Sequence, residues 1–187
     1  IACAFEGDGL VVLFGPSGIG KTSVLNMVAG LLRPTRGRVR VAGRTLFDAA
    51  AGVDVAVPRR RAGYVFQDPR LFPHLRVAGN LRYGMARGDG GGRWDETVAL
   101  LGIGHLLRRW PATLSGGEAR RVAIGRALLS GADFLLLDEP LASLDRARRE
   151  EVMAAVEALR DTRRLPILMV THDPAEAERL ATQVVRM

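Results

Sequence analysis

An apolar run that leads into a glycine-rich loop constrains the fold of this chain more than any other feature. The run LVVLF at residues 10–14 is typical of a buried strand, and GPSGIGKT at residues 15–22 fits the pattern G-x-x-x-x-G-K-[ST]. Lys21 is the only lysine among 27 lysine and arginine residues. Because lysine is a compact charge on a thin stem and arginine a planar fork, a narrow loop around phosphates favours lysine. A surface lysine retained by chance is the alternative, and the surrounding motif argues against it.

The loop predicts a nucleoside triphosphate site. In this arrangement the backbone N–H groups of the loop and the positive end of the following helix converge on phosphate oxygens. Lys21 would reach the β- and γ-phosphates, and the Thr22 hydroxyl would bind Mg²⁺. The predicted nucleotide-binding residues are Gly15, Pro16, Ser17, Gly18, Ile19, Gly20, Lys21, Thr22 and Ser23.

A second motif, FLLLDEP at residues 134–140, runs from apolar residues into two acids. Asp138 is expected at the carboxyl end of a strand, where it would support the Mg²⁺ ion. Glu139 would orient or deprotonate the attacking water. Taken alone, the motif could equally be a strand followed by a solvated acidic turn, but the glycine-rich loop favours the functional interpretation.

Strands and helices are predicted to alternate through much of the chain. Short apolar runs at 10–14, 134–137 and 167–170 indicate buried strands, with weaker strand candidates at 39–41 and 64–66. Helical periodicity follows the loop at residues 21–32 and recurs at 147–160. This order is typical of an α/β fold, a P-loop core with a mostly parallel sheet.

A helical insert is predicted within this core. The stretch from about 70 to 130 holds no strong strand candidate and shows helical patterns at 95–107 and 118–129. We therefore predict one nucleotide-binding domain over 1–187, with the core at about 1–69 and 130–187 and an α-helical subdomain at about 70–129. The chain begins at Ile1 rather than methionine, and we expect it to be truncated at both ends.

Composition adds few constraints. The net charge is +7, but the arginines form short scattered clusters rather than one basic tract, so most are predicted to lie on solvated faces and no nucleic-acid partner is expected. Cys3 is the only cysteine, which excludes a disulfide within the chain. The apolar runs fall far short of the roughly 18 residues that suggest a membrane span, so any membrane role would be peripheral.

Four further motifs identify a family resemblance. LSGGE at 114–118 resembles the signature sequence of the ATP-binding cassette (ABC) ATPases, in which LSGGQ is commoner. FQD at 66–68, LASLD at 141–145 and VTHD at 170–173 occur in the order that this family shows. The resemblance implies ATP and Mg²⁺ as cofactors and the fold of an ABC nucleotide-binding domain.

The resemblance also assigns roles to three residues. Gln67 would contact Mg²⁺ and the attacking water, His172 would bond the γ-phosphate, and Asp145 would shape the subunit interface. Glu139, His172 and Gln67 are thus the predicted catalytic residues, and Thr22, Gln67 and Asp138 the predicted metal site. The three residues that the resemblance assigns could instead have purely structural roles. Gln67 could be a surface amide, His172 a core or capping histidine, and Asp145 a helix N-cap.

The signature motif indicates a second anion site. Ser115, Gly116 and Gly117 are expected just before a helix, where a hydroxyl and backbone N–H groups meet the positive helix end. In the family this site binds the γ-phosphate held by a second copy, so the resemblance implies a head-to-tail dimer. The predicted signature residues are Leu114, Ser115, Gly116, Gly117 and Glu118.

Longer segments of the chain narrow the resemblance to one group within the ABC family. The stretches at 63–85, 114–129 and 135–145 resemble the ATPase subunit of bacterial molybdate importers. This implies transmembrane permease subunits as partners, a periplasmic substrate-binding protein as an indirect partner, and a peripheral location on the cytoplasmic face of the inner membrane. LFPHL at 71–75 matches the family's groove for a permease helix, with Leu71, Phe72 and Leu75 as its apolar floor or, alternatively, as part of the insert's own core.

Three other functions remain open. The chain could serve an importer of sulfate, iron or polyamines, since most of these segments are shared among such importers. A soluble DNA-associated ABC ATPase is disfavoured because the two halves of the cassette are contiguous and no heptad run separates them. A ribosome-binding regulator is also disfavoured, since those members typically carry two cassettes and this chain has one.

Overall fold

The computed structural model describes residues 9–85, 91–163 and 165–187, without the side chains at 91 and 92. Cys3 lies outside these residues. Within them the strands are β1 (Leu10–Phe14), β2 (Arg38–Val41), β3 (Arg44–Asp48), β4 (Val53–Asp54), β5 (Ala62–Val65), β6 (Phe134–Asp138), β7 (Ile167–Thr171) and β8 (Gln183–Arg186). The α-helices are α1 (Lys21–Ala29), α2 (Val57–Arg60), α3 (Val77–Arg82), α4 (Gly91–Leu100), α5 (Gly116–Leu129), α6 (Arg146–Thr162) and α7 (Pro174–Leu180).

Contacts between residues divide the chain into two compact units. The first comprises the described residues of Ile1–Tyr64 together with Asp133–Asp138 and Leu165–Met187, and the second comprises Val65–Ala132 and Glu139–Arg164, of which Arg164 is not described. This division groups α6 with the helices of the second unit. The boundaries expected from the sequence, a core at about 1–69 and 130–187 and a helical subdomain at about 70–129, stay a prediction.

A five-stranded sheet organises the first unit, in the order β5-β6-β7-β1-β8. Strand β1 pairs in parallel with both β7 and β8, and β6 pairs in parallel with β7. The central strands are continuous apolar runs because both of their faces are buried. Leu10, Val12, Leu136 and Met169 all have 0% exposure. The α/β architecture predicted from the sequence is therefore confirmed.

Helix α1 packs on this sheet through Val24, Leu25 and Val28, which join the core cluster of the first unit. It ends at Ala29, three residues before the predicted end, because Gly30 takes a left-handed conformation with φ 83° and closes the helix. Leu32, the last residue of the predicted helix, lies beyond this end and is 43% exposed.

A separate antiparallel sheet, in the order β2-β3-β4, was predicted only in part, through the weak candidate at 39–41. Its first strand reads RVRV, with exposed arginines alternating with half-buried valines, so it lacks the apolar run of a central strand. The hairpin between β2 and β3 turns at Ala42 and Gly43, which have φ 47° and 78°.

The second unit is helical. Helix α5 packs against α3, α4 and α6. Helix α4 ends at Leu100 rather than at 107, because Gly102 has φ 60° and a short 3₁₀ helix follows at Gly104–Leu106. No helix within the described residues is both long enough and apolar enough to cross a bilayer.

Candidate functional site

The glycine-rich loop connects β1 to α1 in the first unit. Gly18 and Gly20 have φ 83° and 106°, in a left-handed region that residues with a Cβ atom rarely adopt. Gly20 is also the N-cap of α1, so no capping side chain covers the first N–H groups of the helix. The loop therefore presents backbone donors at the positive end of a helix, as an anion site requires.

Lys21 begins α1 and is 5% exposed. Its Nζ atom donates hydrogen bonds to the carbonyls of Gly15, at 2.8 Å, and of Pro16, at 3.0 Å. The loop is thus folded around its own ammonium group. A cation with so little access to water interacts more strongly with an anion than it would on the surface.

Thr22 and Asp138 meet although 116 positions separate them in the chain. The Thr22 hydroxyl donates to Oδ1 of Asp138 at 2.9 Å. Parallel pairing explains the meeting, because β1, which precedes the loop, and β6, which ends at Asp138, both pair with β7 and end at the same edge of the sheet. A hydroxyl and a carboxylate are hard oxygen donors, and this pair fits Mg²⁺.

His172 follows β7 directly, at the same sheet edge, and is exposed. Its flanks are fixed on both sides. The Thr171 hydroxyl donates to Oε2 of buried Glu176 at 2.6 Å, and the Asp173 carboxylate caps α7 by accepting from the N–H of Ala175 at 2.9 Å. Glu176 was missed from sequence, since a single acid in a helix gives no sign that it is buried.

Glu139, in the second unit, is half-buried and has φ 44°. This conformation is uncommon for a residue with a side chain, and the following Pro140 normally restricts its predecessor to extended conformations. The Glu139 carbonyl accepts a hydrogen bond from the N–H of Ala142 at 3.1 Å. Strained backbone of this kind concentrates at functional sites.

The signature segment at 114–118 differs in one detail from its prediction. Gly116 and Gly117 form the first turn of α5 instead of preceding it, and Ser115 is the N-cap. Ser115 Oγ accepts from the Glu118 N–H at 3.3 Å, and Glu118 Oε2 accepts from the Ser115 N–H at 2.7 Å. This reciprocal pair is a capping box, which fixes the start of the helix.

Close packing explains both glycines of the signature. A Cβ at Gly116 would lie 2.9 Å from Cδ2 of Leu144, and one at Gly117 would lie 3.1 Å from Cβ of Arg148. The start of α5 therefore lies directly against the segment that leads into α6. Asp145 in that segment caps α6, accepting from the Arg148 N–H at 3.0 Å, as its structural alternative predicts.

Glu118 carries a negative charge at this helix start. Burial acts to raise its pKa, but the hydrogen bonds from Ser115 and the charges of Arg109 and His105 outweigh burial, so the pKa lies below its ordinary value of 4.5. Arg109 Nη1 donates to Glu118 Oε1 at 3.0 Å. Glu118 is therefore ionised at neutral pH, and its negative charge at the positive end of α5 stabilises the helix.

Gln67 is exposed, and the LFPHL segment follows it in the same unit. Leu71, Phe72 and Leu75 are each half-buried. This exposure is compatible both with the floor of a groove for a permease helix and with a place in the core of the helical insert. Asn80, which is 0% exposed and was missed from sequence, holds the segment in place. Its side chain accepts from the Phe72 N–H at 2.8 Å and donates to the carbonyls of Phe72, at 3.1 Å, and Leu75, at 3.0 Å.

The predicted site residues thus fall into two groups. In the first unit the parallel sheet brings together the loop at 15–23, Asp138 and His172. The second unit holds Gln67, Glu139 and the residues of the signature and Asp145 segments.

Comparison with known proteins identifies the family. The family model described as "ABC transporter" matches residues 1–142, and this chain belongs to the ABC transporter family. Its sequence is 54% identical, over 100% of the chain, to the molybdenum import ATP-binding protein ModC of Mesorhizobium japonicum. It is 55% identical over 97% of the chain to ModC of Brucella melitensis, and 52% identical over 100% of the chain to ModC of Yersinia pestis.

The chain spans about half the length of these curated relatives, 52%, 51% and 52% respectively. Two solved structures are similar in fold. The dimeric post-hydrolysis state of the ATP-binding cassette MJ0796, bound to ADP and Pi, superposes with a TM-score of 0.76 at 28% identity, covering 100% of this chain and 83% of that one. The cbiO1 subunit of the cbiONQ transporter complex from Clostridium perfringens gives a TM-score of 0.81 at 27% identity, covering 96% of this chain and 73% of that one.

Proposed function

We propose that this chain is the ATP-hydrolysing part of an importer subunit, and that the importer carries molybdate. The hydrogen bond between Thr22 and Asp138 is the observation that carries the ATPase proposal, because it joins two distant motifs of phosphate chemistry at one sheet edge. The identity to molybdenum import proteins over 97% to 100% of the chain supports the substrate. Importers of sulfate, iron or polyamines are the alternatives that a transport assay separates.

The loop residues bind the triphosphate. The N–H groups at the start of α1 hold phosphate oxygens, and Lys21 exchanges its bonds to the Gly15 and Pro16 carbonyls for the β- and γ-phosphates. Thr22, Asp138 and Gln67 would hold Mg²⁺. When bound, this ion neutralises charge on the phosphates.

Glu139 orients the attacking water and accepts its proton. Gln67 holds the same water, and His172 donates a hydrogen bond to the γ-phosphate. These side chains contribute mainly by positioning and by charge stabilisation, as is usual for phosphoryl transfer.

The second copy of the chain completes each nucleotide site. The start of α5 offers the Ser115 hydroxyl and glycine N–H groups at a positive helix end, which suits a γ-phosphate presented by a partner. A head-to-tail dimer would place two nucleotides between the copies, with Asp145 at the interface. The similar ATP-binding cassette MJ0796 was solved as a dimer, which supports this arrangement.

The subunit would act at the cytoplasmic face of the bacterial inner membrane, against two permease subunits. Leu71, Phe72 and Leu75 would receive a helix of the permease, and a periplasmic binding protein would deliver the anion from the other side. The proposal is supported by the partly exposed apolar surface of this segment and by the cbiO1 relative, which is part of a transporter complex.

Replacement of Glu139 tests the ATPase proposal. In the full-length protein, Glu139→Gln should reduce ATP turnover to a trace, retain ATP binding and trap a dimer, because the amide cannot accept the proton. Turnover is measured by phosphate release and dimer formation by sedimentation. Glu157→Gln, in α6, is a matched control that should retain turnover. Unchanged hydrolysis in Glu139→Gln would contradict the role of Glu139.

The substrate is tested in vesicles that contain the full-length subunit and its permease. ATP inside the vesicles should drive uptake of molybdate supplied with the binding protein, and sulfate, iron and polyamines should not be accumulated. Uptake of one of the other substrates in place of molybdate would overturn the substrate proposal and leave the ATPase proposal intact.

A further inference from the structure

Arg120 is a buried arginine that the proposed mechanism does not use. It lies in the second turn of α5 and is 6% exposed. Its sequence context, GGEARRVA, gives no reason to distinguish it from the neighbouring Arg121. A guanidinium group is costly to bury unless its donors are satisfied, so its partners identify its role.

Two of these partners belong to the segment that begins at Glu139. Nη1 of Arg120 donates to the Glu139 carbonyl at 3.1 Å, and Nη2 donates to the Ala142 carbonyl at 3.3 Å. The Ala142 N–H donates to the same Glu139 carbonyl. The planar fork of the guanidinium therefore holds both ends of one turn.

This turn contains the strained backbone described above. Glu139 has φ 44° and precedes a proline, a combination that does not persist unless surrounding contacts impose it. The hydrogen bonds from Arg120 and Ala142 to the Glu139 carbonyl orient the peptide group that follows the strained residue. The direction of the Glu139 side chain is set by the same backbone conformation.

We propose that Arg120 is a positioning residue that holds the turn at 139–142 and thereby aims the Glu139 carboxylate at the attacking water. The inference rests on the proposed role of Glu139 as proton acceptor. Because Arg120 lies on the helix that begins with the signature glycines, it also ties α5 to the turn that carries this carboxylate. Displacement of a reacting group by about 1 Å can lower a rate by about 100-fold, so a loosened turn affects catalysis measurably.

The test compares three variants of the full-length protein. Arg120→Met removes every donor and should lower kcat by on the order of 10- to 100-fold while ATP affinity stays unchanged. Arg120→Lys keeps the charge and can donate to the carbonyls from one nitrogen, so its kcat should be intermediate. Arg121→Met is the matched control: this arginine is 13% exposed on the same helix and donates to the Leu101 carbonyl and to Glu151, so its kcat should stay near wild type.

A second measurement separates positioning from loss of stability. Glu139→Gln is expected to leave only a trace of turnover, and in single-turnover measurements with excess enzyme Arg120→Met should not lower this trace rate further, since the carboxylate that it aims is already absent. The fraction of folded protein is measured for each variant, and Arg120→Lys provides the test if Arg120→Met does not fold. Normal kcat in both Arg120 variants, an equal loss in Arg121→Met, or a further loss in the Glu139→Gln background would each overturn the inference.

The outcome for Glu139→Gln alone distinguishes the two proposals. If that variant retains turnover, the proposed role of Glu139 fails and takes the inference with it. If that variant is inactive while the Arg120 variants turn over normally, only the inference about Arg120 fails.

Discussion

Thr22 and Asp138 show how single side chains define the proposed nucleotide site. Their hydrogen bond spans 2.9 Å between a hydroxyl and a carboxylate, and both groups have oxygen atoms that Mg²⁺ accepts as ligands. Asp138 is buried, whereas Thr22 is exposed at the start of α1. In the proposed site the pair would contribute more to metal binding than to folding, because a hydrogen bond with one exposed partner adds little net stability.

Substitution of Thr22 tests this difference. Thr22→Val should lower ATP turnover by on the order of 100-fold because it removes the metal-binding hydroxyl, while unfolding free energy should change by about 1 kcal/mol or less. Thr22→Ser, which keeps the hydroxyl, should retain most of the activity. The measurements are the Mg²⁺ dependence of phosphate release and denaturant unfolding. Equal activity in the valine and serine variants would contradict the metal role.

Position 30 favours glycine for two reasons, its backbone conformation and the lack of room for a Cβ atom. Its φ is 83°, and a Cβ there would lie 2.6 Å from Nε of Arg60, which is 2% exposed and donates to the Met27 and Val28 carbonyls at the end of α1. Gly30→Ala should lower the unfolding free energy by about 2 to 4 kcal/mol, since it displaces a buried guanidinium as well as straining the backbone.

The matched control for this variant is Gly52→Ala. Gly52 also has a left-handed conformation, with φ 67°, but a Cβ there would meet nothing within 4 Å. This control should lose only about 1 kcal/mol, the cost of the conformation alone. Urea unfolding compares the two variants, and equal losses would show that Arg60 accommodates the added methyl group.

At the scale of elements, helix α5 has a start that is fixed by side chains, and helix α1 has one that is not. Ser115 and Glu118 satisfy N–H groups at the start of α5 through the capping box, whereas Gly20 provides no capping side chain at the start of α1. This difference suits their proposed roles. Helix α1 would bind the triphosphate of its own copy, and α5 would present a formed helix end to a partner.

The capping box makes a pH-dependent contribution to stability. The pKa of Glu118 is lowered in the folded protein, so its stabilisation is present above the unfolded value of 4.5 and is lost as the pH falls through the lower folded value. Glu118→Ala should cost about 1 kcal/mol at neutral pH. The cost should shrink as the pH is lowered to about 3.

Glu118→Gln is the comparison for this measurement, since glutamine can also complete a capping box. Its stability relative to wild type should fall at neutral pH, where the ion pair with Arg109 is lost, and the difference should narrow in acid. Denaturant unfolding across the pH range gives the result. A cost of Glu118→Ala that is independent of pH would show that the carboxylate charge has no part in capping.

At the scale of the whole molecule, the proposed dimer divides each nucleotide site between two copies. One copy would supply the loop with Lys21, and the other would supply the capped helix start with Ser115. Two inactive variants should therefore complement each other when mixed, which a site contained within one copy could not do.

Lys21→Met and Ser115→Asp provide the complementing pair. Aspartate remains a good N-cap but repels a phosphate, so it should preserve the start of α5 while preventing the anion from binding. Neither variant alone should hydrolyse ATP. An equal mixture should recover up to roughly a quarter of the wild-type rate, because half of the pairs are mixed and each holds one intact site. No recovery from a mixture that forms dimers would argue against the shared site.

Local sequence determined much of this protein. The strands at 10–14, 134–138 and 167–171 are apolar runs, and their burial on both faces is what such runs predict. The glycine-rich loop was predictable because its motif is contiguous in the chain and its left-handed positions at Gly18 and Gly20 favour glycine. Asp145 was predictable as a cap because capping involves only neighbouring residues.

Tertiary structure decided what depends on residues distant in the chain. The arginine clusters were expected to be mostly solvated, yet Arg60 and Arg120 are 2% and 6% exposed, because carbonyls from other elements satisfy their donors. The burial of Asn80 and Glu176 and the positive φ of Glu139 are set in the same way. A side chain's identity gives its charge and its hydrogen-bonding atoms, but the fold determines which partners come within reach of them.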